Sequence, residues 1–120
     1  MPKKSKKANS TLNLLNKNSK MLTINQVRAI YEEGVDITLV RGPHPQRCKG
    51  TYDGEIRIYT KSMRSKRGRH IIILHEVIHA RNDLLNFRRD GDRLAQREAI
   101  ETYNKRPAVL GYIEFLWRIK

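Results

Sequence analysis

The sequence contains a single cysteine, no long apolar run and few acidic residues. One cysteine, Cys48, excludes an intrachain disulfide, which fits a reducing cytoplasm. No apolar stretch approaches the roughly 18 residues that a membrane-spanning helix needs, and the basic N-terminus lacks the apolar core of a secretory signal. We therefore expect a cytoplasmic protein that makes no membrane contact.

Acidic residues number only 12 against 25 lysines and arginines, which leaves a net charge of +13. Residues 1–20 hold six lysines and no acid, and we predict a flexible basic tail there, followed by a single domain over residues 21–120. Nucleic acid is a possible partner of the basic residues Lys3, Lys4, Lys6, Lys7 and the Lys61–Arg69 cluster (Lys61, Arg64, Lys66, Arg67 and Arg69). The alternative is a solubilising surface, since no aromatic stacking pattern or DNA-reading motif accompanies this charge.

One motif points to specific chemistry: residues 75–79 read His-Glu-Val-Ile-His. On a helix, His75 and His79 lie one turn apart on the same face, which suits two nitrogen ligands of one zinc ion. Glu76 lies beside that pair, where it can take a proton from a metal-bound water rather than bind the metal. The apolar run 71–74 predicts a buried helix, and buried His and Glu need partners such as a metal. The alternative is a chance pair of histidines that is satisfied within the core.

A catalytic zinc site needs a third protein ligand and one open position. No histidine follows His79, so a carboxylate is expected to complete the site. Asp90-Gly91-Asp92 predicts the start of a further helix, because Asp is a good N-cap, and that helix carries Glu98 and Glu101. The intervening residues leave room for a turn that brings a glutamate back to the metal. An ordinary charged helix face is the alternative role for both glutamates.

The His-Glu-x-x-His motif followed by Glu98-Ala99-Ile100-Glu101 resembles the gluzincin metallopeptidases. The likeness is to thermolysin-like enzymes, to minimal single-domain gluzincins and to peptidase domains of the ImmA/IrrE type, and it covers about residues 55–115. It implies one Zn2+ per chain, held by His75, His79 and Glu98. It also implies that Glu76 is the catalytic base and that Glu101 is a hydrogen-bond partner of a ligand imidazole.

Helix caps, turns and apolar periodicity predict an α+β, zincin-like fold. A capping box at Thr23 begins a helix that ends at Gly34, and strands follow over residues 36–41, 48–52 and 55–60. We expect a small antiparallel or mixed sheet of about three strands packed on the motif helix. The glutamate helix and a C-terminal helix from Pro107 then complete the domain. Arg81 stands where zincins usually carry an apolar residue, which leaves the burial of that turn open.

In zincins, the strand before the active helix borders the cleft, and its free edge can pair with an extended peptide. The resemblance gives this role to residues 55–60, where Arg57 would favour neutral or acidic peptides. An edge strand guarded by charges is the alternative.

These residues together imply a zinc metallopeptidase acting on a peptide or protein substrate. Tyr103, Tyr112 and His70 are candidates to stabilise the oxyanion, although each also fits a packing or surface role. Cys48 is either an inert thiol or a thiolate that caps the metal. Two other functions remain open: a basic nucleic-acid-associated protein with structural or vestigial zinc, and a phage or stress regulator that uses the same fold.

Overall fold

The computed structural model describes residues 21–42, 48–63, 65–87 and 90–119. Over these residues the chain is α+β, with four α-helices and one three-stranded mixed sheet. In chain order the elements are α1 (Ile24–Glu32), β1 (Ile37–Val40), β2 (Gly50–Tyr52), β3 (Ile56–Tyr59), a 3-10 turn (Thr60–Ser62), α2 (Lys66–Leu84), α3 (Asp92–Lys105) and α4 (Pro107–Trp117). The tail predicted over residues 1–20 lies outside the described residues. None of the described helices combines the length and the apolar character needed to cross a bilayer.

Helix α1 begins at the predicted capping box of Thr23. The Thr23 hydroxyl accepts a hydrogen bond from the Gln26 N–H, and the Gln26 side-chain oxygen accepts one from the Thr23 N–H, both at 3.1 Å. Gly34 follows the helix with φ = 88°, a conformation that glycine adopts without strain. Val27 and Ile30 are fully buried, so the helix packs one face against α2 and α4.

Helix α4 covers the core from the C-terminal side. Pro107 lies in its first turn, as predicted, where the missing N–H has no intrahelical partner to lose. Val109 and Ile113 are buried. The Trp117 indole N–H donates to the Val35 carbonyl at 2.7 Å, which ties the end of α4 to the segment before β1.

The sheet has the order β1–β3–β2, with β3 parallel to β1 and antiparallel to β2. Asp53-Gly54 lies in the tight connection between β2 and β3, as predicted, and Gly54 takes φ = 101° there. Ile56 and Ile58 on β3 have no exposed surface, as expected of a central strand. The prediction of a free edge on residues 55–60 is therefore wrong, because neighbours pair with both sides of β3. The hairpin's edge strand is β2.

Helix α2 runs through the centre of the molecule. The Ser65 hydroxyl caps it by accepting a hydrogen bond from the Gly68 N–H at 3.0 Å. Most side chains over residues 71–82 are buried, because the sheet lies on one side of the helix and α1 and α3 lie on others. Packing on several sides holds the polar side chains of this stretch in defined positions.

The guanidinium of Arg81 joins α2 to α3. Arg81 is only 3% exposed, so the turn after His79 is buried despite its charge. Two guanidinium nitrogens bind the two carboxylate oxygens of Glu98, with Nη2 2.9 Å from Oε1. Nη1 also donates to the Gln26 side-chain oxygen at 3.3 Å, and the Phe87 ring lies 4.3 Å from the guanidinium carbon. The charge is tolerated in the interior because these groups pair with it.

We expect Glu98→Ala to lower the free energy of unfolding by about 3–5 kcal/mol, because it leaves a buried guanidinium without its carboxylate. Chemical denaturation in the presence of a chelator measures this effect free of any contribution from bound metal. The matched control is Glu101→Ala on the same helix. It removes only a largely exposed pair with Lys105 at 3.3 Å, and it should lower stability by at most about 1 kcal/mol. Equal effects of the two substitutions would contradict the assigned role of Glu98.

Candidate metal centre

The two histidines of α2 lie on one face of the helix, as the motif predicts. Their ring centroids are 4.8 Å apart and their Nε2 atoms are 3.1 Å apart. His75 is buried and His79 is half-buried at the border of a cleft. Two imidazole nitrogens are thus directed at one point.

A carboxylate oxygen joins these nitrogens from Asp92, the first residue of α3. Its Oδ1 lies 2.9 Å from His79 Nε2 and 3.4 Å from His75 Nε2. Ligand atoms that share one zinc ion at about 2.0–2.2 Å lie roughly 3–3.5 Å from one another. His75, His79 and Asp92 therefore form a possible metal-binding triad.

Each ligand imidazole has its other ring nitrogen held by a side chain. His75 Nδ1 donates to the Gln96 side-chain oxygen, and His79 Nδ1 donates to Asp90 Oδ1, each at 2.8 Å. These acceptors place a proton on Nδ1, so the lone pair of each Nε2 faces the triad. Both rings are oriented as metal ligands require.

The Nδ1 contacts leave the triad as a set of three electron-pair donors. With both Nδ1 atoms protonated, two Nε2 atoms and Asp92 Oδ1 face one another as acceptors, an arrangement that favours a cation among them. Burial lowers the pKa of His79, but hydrogen bonds to Asp90 and Asp92 outweigh it and leave this pKa above its usual value. Without a metal, a proton on an imidazole Nε2 would occupy the same position between the histidines and Asp92, and these contacts lower the pKa of Asp92. The donor set therefore fits a divalent metal.

Glu76 lies beside the triad and is not one of its members, as the motif predicts. Its side chain is buried, and this burial raises the pKa of its carboxyl, against the opposing effect of the two histidines. The β2 backbone passes directly over it, since a Cβ on Gly50 would lie 3.0 Å from Glu76 Cγ and 2.9 Å from Ile72 Cγ2. Because residue 50 is a glycine, β2 can approach α2 closely, and Glu76 is enclosed between the two elements.

A cleft of about 610 Å³ opens beside the triad. One wall is formed by residues 50–54, from β2 and the following turn, and the other by Glu76, His79, Asp83, Asp90 and Asp92. The Tyr52 hydroxyl donates to Asp83 at 2.7 Å, and burial together with this bond raises the pKa of Tyr52. No lysine or arginine is among the described lining residues, so the cleft is acidic although the chain as a whole is strongly basic.

The structure places Glu98 and Glu101 away from the histidines. Glu98, the third ligand implied by the resemblance, has both oxygens on Arg81, and the acid that meets the histidines is Asp92. Glu101 pairs with Lys105. The physical reason is that the buried guanidinium of Arg81 must pair with a carboxylate, and Glu98 is the acid that it binds.

The other candidates also lie outside the cleft lining. Tyr103 packs against Arg67, with the guanidinium carbon 5.5 Å from the ring centroid. His70 Nε2 lies 3.4 Å from a Glu114 oxygen, and the Tyr112 hydroxyl accepts a hydrogen bond from Arg28 at 3.0 Å. Cys48 is half-buried just before β2 and does not line the cleft. Of the tyrosines, the described lining contains Tyr52.

Sequence reasoning missed the roles of Asp92, Asp90 and Gln96. Asp90-Gly91-Asp92 indicates a helix start, and α3 does begin there, but Gly91 is the N-cap and no side chain caps the helix. Both aspartates are therefore available to the histidines. Asp92 lies 13 positions after His79. A carboxylate at the first helix start beyond the motif is the signal that would have found it.

Comparison of this chain with protein-family models, with curated proteins and with solved structures finds no match. The geometry of the triad and of its cleft is thus the basis for assigning a function.

We expect the purified protein to hold about one zinc per chain and Asp92→Ala to lose most of it, because two protein ligands rarely suffice. Elemental analysis and competition with a chromophoric chelator measure this. The wild type should also melt at a lower temperature in excess chelator, since metal bound only to the folded state stabilises it. Glu98→Ala should keep zinc despite its lower stability. If instead Glu98→Ala loses zinc and Asp92→Ala retains it, the ligand set implied by the resemblance is correct.

Proposed function

We propose that the protein is a zinc-dependent peptide hydrolase with a zincin-like fold. The observation that carries the proposal is the convergence of His75, His79 and Asp92 beside Glu76 at an open cleft. Two imidazoles and one carboxylate are a ligand set that zinc takes in catalytic sites, with a fourth position left open. The order of elements supports the same fold: a mixed sheet, the motif helix, then a helix that supplies the third acid. In this proposal Asp92 takes the position implied for Glu98.

Zinc bound at the triad would supply Lewis acidity toward water and the scissile carbonyl. The chain itself contributes Glu76 as general base. Its carboxylate lines the cleft without belonging to the triad, so it is placed to accept a proton from the attacking water and to deliver it to the leaving amine. The close approach of Gly50 restricts the positions open to this side chain.

The proposed substrate is an extended peptide that lies along β2. Among the described residues β2 pairs only with β3, and residues of β2 line the cleft. Backbone hydrogen bonds from an edge strand bind peptides of varied sequence. The acidic walls favour basic side chains near the scissile bond. Arg57, which would otherwise favour acidic peptides, is balanced by Asp53 at 3.0 Å and Glu55 at 3.3 Å.

We expect Glu76→Gln to keep the zinc and the fold while abolishing cleavage of an unfolded protein such as casein. The amide has the shape of the carboxylate but accepts no proton, and it replaces no metal ligand. Zinc content, thermal melting and casein cleavage measured on the same preparation separate these effects. A Glu76→Gln protein that cleaves as fast as the wild type would show that the site is not catalytic. A zinc-bearing wild type that cleaves nothing would favour structural zinc.

A second candidate function is binding of nucleic acid, and the charge distribution along α2 favours it. Lys66, Arg67 and Arg69 lie at the N-terminal end of α2, far along the helix from the triad. No acid occupies this first turn, where the helix dipole disfavours positive charge. In the described part of the chain no carboxylate pairs with Lys61, Lys66 or Arg69. Phosphates would neutralise this end, and a nucleic-acid-bound peptidase also suits a phage or stress regulator.

We expect the triple variant Lys61→Gln, Lys66→Gln, Arg69→Gln to weaken binding to duplex DNA and to reduce the salt dependence of that binding. Each cation that no longer neutralises a phosphate lowers the slope of log K against log salt by about 0.9. Fluorescence anisotropy over a range of salt concentrations measures the slope. The charge-matched control away from this surface is Arg93→Gln, Arg97→Gln, Arg118→Gln, all of them exposed. Equal reductions in the two triple variants would mean that net charge alone, and not this surface, drives binding.

A further inference from the structure

Asn82 connects the buried ion pair of Arg81 to the metal-binding triad. It is 5% exposed and lies on α2 between the two groups that it contacts. Its Oδ1 accepts hydrogen bonds from Arg81 Nε at 2.9 Å and from Nη2 at 2.6 Å. Its Nδ2 donates to Asp90 Oδ1 at 2.8 Å. Both ends of the amide are therefore occupied, on opposite sides of the residue.

The chemistry of the two neighbours fixes the orientation of this amide. A guanidinium only donates hydrogen bonds, so the atom of Asn82 that faces Arg81 must be the oxygen. The amide nitrogen then necessarily faces the carboxylate of Asp90. Arg81 is itself immobilised by Glu98 and Gln26, so the amide is anchored to the packing of three helices.

Asp90 Oδ1 accepts two hydrogen bonds at 2.8 Å, one from Asn82 Nδ2 and one from His79 Nδ1. The Asp90 side chain is half exposed, and the hydrogen bonds described for it are those from Asn82 and His79. The bond from Asn82 thus holds the carboxylate where His79 can donate to it. The ring of His79 is oriented by a carboxylate that is in turn oriented by Asn82.

We propose that Asn82 is a positioning residue of the metal centre, acting through Asp90 on His79. This inference rests on the proposed metal site. It also gives Arg81 two roles, because the guanidinium that joins α2 to α3 through Glu98 also orients the amide of Asn82. The competing role for Asn82 is purely structural, as an acceptor for Arg81 with no effect on metal.

A double-mutant cycle on zinc affinity separates these roles. The dissociation constant of zinc is measured by competition with a chromophoric chelator for the wild type, Asn82→Ala, Asp90→Ala and the double variant. Loss of a partner that orients a ligand imidazole weakens metal binding by about 10–100-fold. We expect each single variant to show a loss in this range and the double variant to bind no more weakly than Asp90→Ala alone. An unchanged affinity in Asn82→Ala, or losses that multiply in the double variant, would overturn the proposal.

A second variant guards against a simple folding defect. In Asn82→Ser a single hydroxyl cannot bridge Arg81 and Asp90 as the amide does, and the buried guanidinium is its stronger partner, so the metal-free protein should melt close to the wild type while zinc affinity falls as in Asn82→Ala. The absorption spectrum of the cobalt-loaded protein should shift in both variants, since it reports ligand geometry. Glu101→Ala, elsewhere on α3, should change neither measurement. Asn82→Ser with wild-type zinc affinity would overturn the proposal.

The outcomes also distinguish this inference from the proposed function. A wild type that binds no zinc overturns both. A wild type that binds zinc through His75, His79 and Asp92, in which Asn82→Ala and Asn82→Ser bind it equally well, overturns only the positioning role. Zinc affinity that depends on Asn82 in a protein that cleaves no peptide supports the positioning role and overturns the hydrolase.

Discussion

The buried positive charge of Arg81 is the constraint on which the rest of the structure depends. A guanidinium that is 3% exposed must be surrounded by acceptors. The chain supplies them from three helices: Gln26 from α1, Asn82 from α2 and Glu98 from α3. The position of α3 relative to α2 follows from this requirement, and so does the point at which the start of α3 meets the histidines. Glu98 is not a member of the triad, so it influences the candidate metal centre only through the packing of α3 on α2.

The same charge explains how far the candidate site can be predicted from the sequence. The helix, the shared face of His75 and His79 and the separate position of Glu76 follow from a local pattern and are present in the structure. The location of Glu98 depends on Arg81, 17 residues earlier, and the motif contains no information about that competition. A buried arginine near several acids binds one of them, and the acid whose oxygen lies beside both Nε2 atoms is Asp92.

The fold shows the same division between local and non-local information. Three local patterns predict elements that the structure contains. They are the capping box at Thr23, the turn at Asp53-Gly54 and the apolar residues at every second position in Ile56–Tyr59. Strand order is not encoded in such patterns, because two alternating strands look alike whether they lie at the centre or at the edge of a sheet. The placement of β3 between β1 and β2, and of β2 beside the cleft, therefore emerges only in three dimensions.

The contacts that build the candidate metal centre also have a kinetic consequence, because they are close in sequence. His79 meets Asp90 across 11 residues, His75 meets Asp92 across 17 and Gln96 across 21, and Arg81 meets Glu98 across 17. Short loops close quickly and at small entropic cost. The hydrogen bond from Arg28 on α1 to Tyr112 on α4 closes a much longer loop, of 84 residues. The helical hairpin of α2 and α3 can thus bring the atoms of the triad together early in folding, before α1 and α4 are tied together.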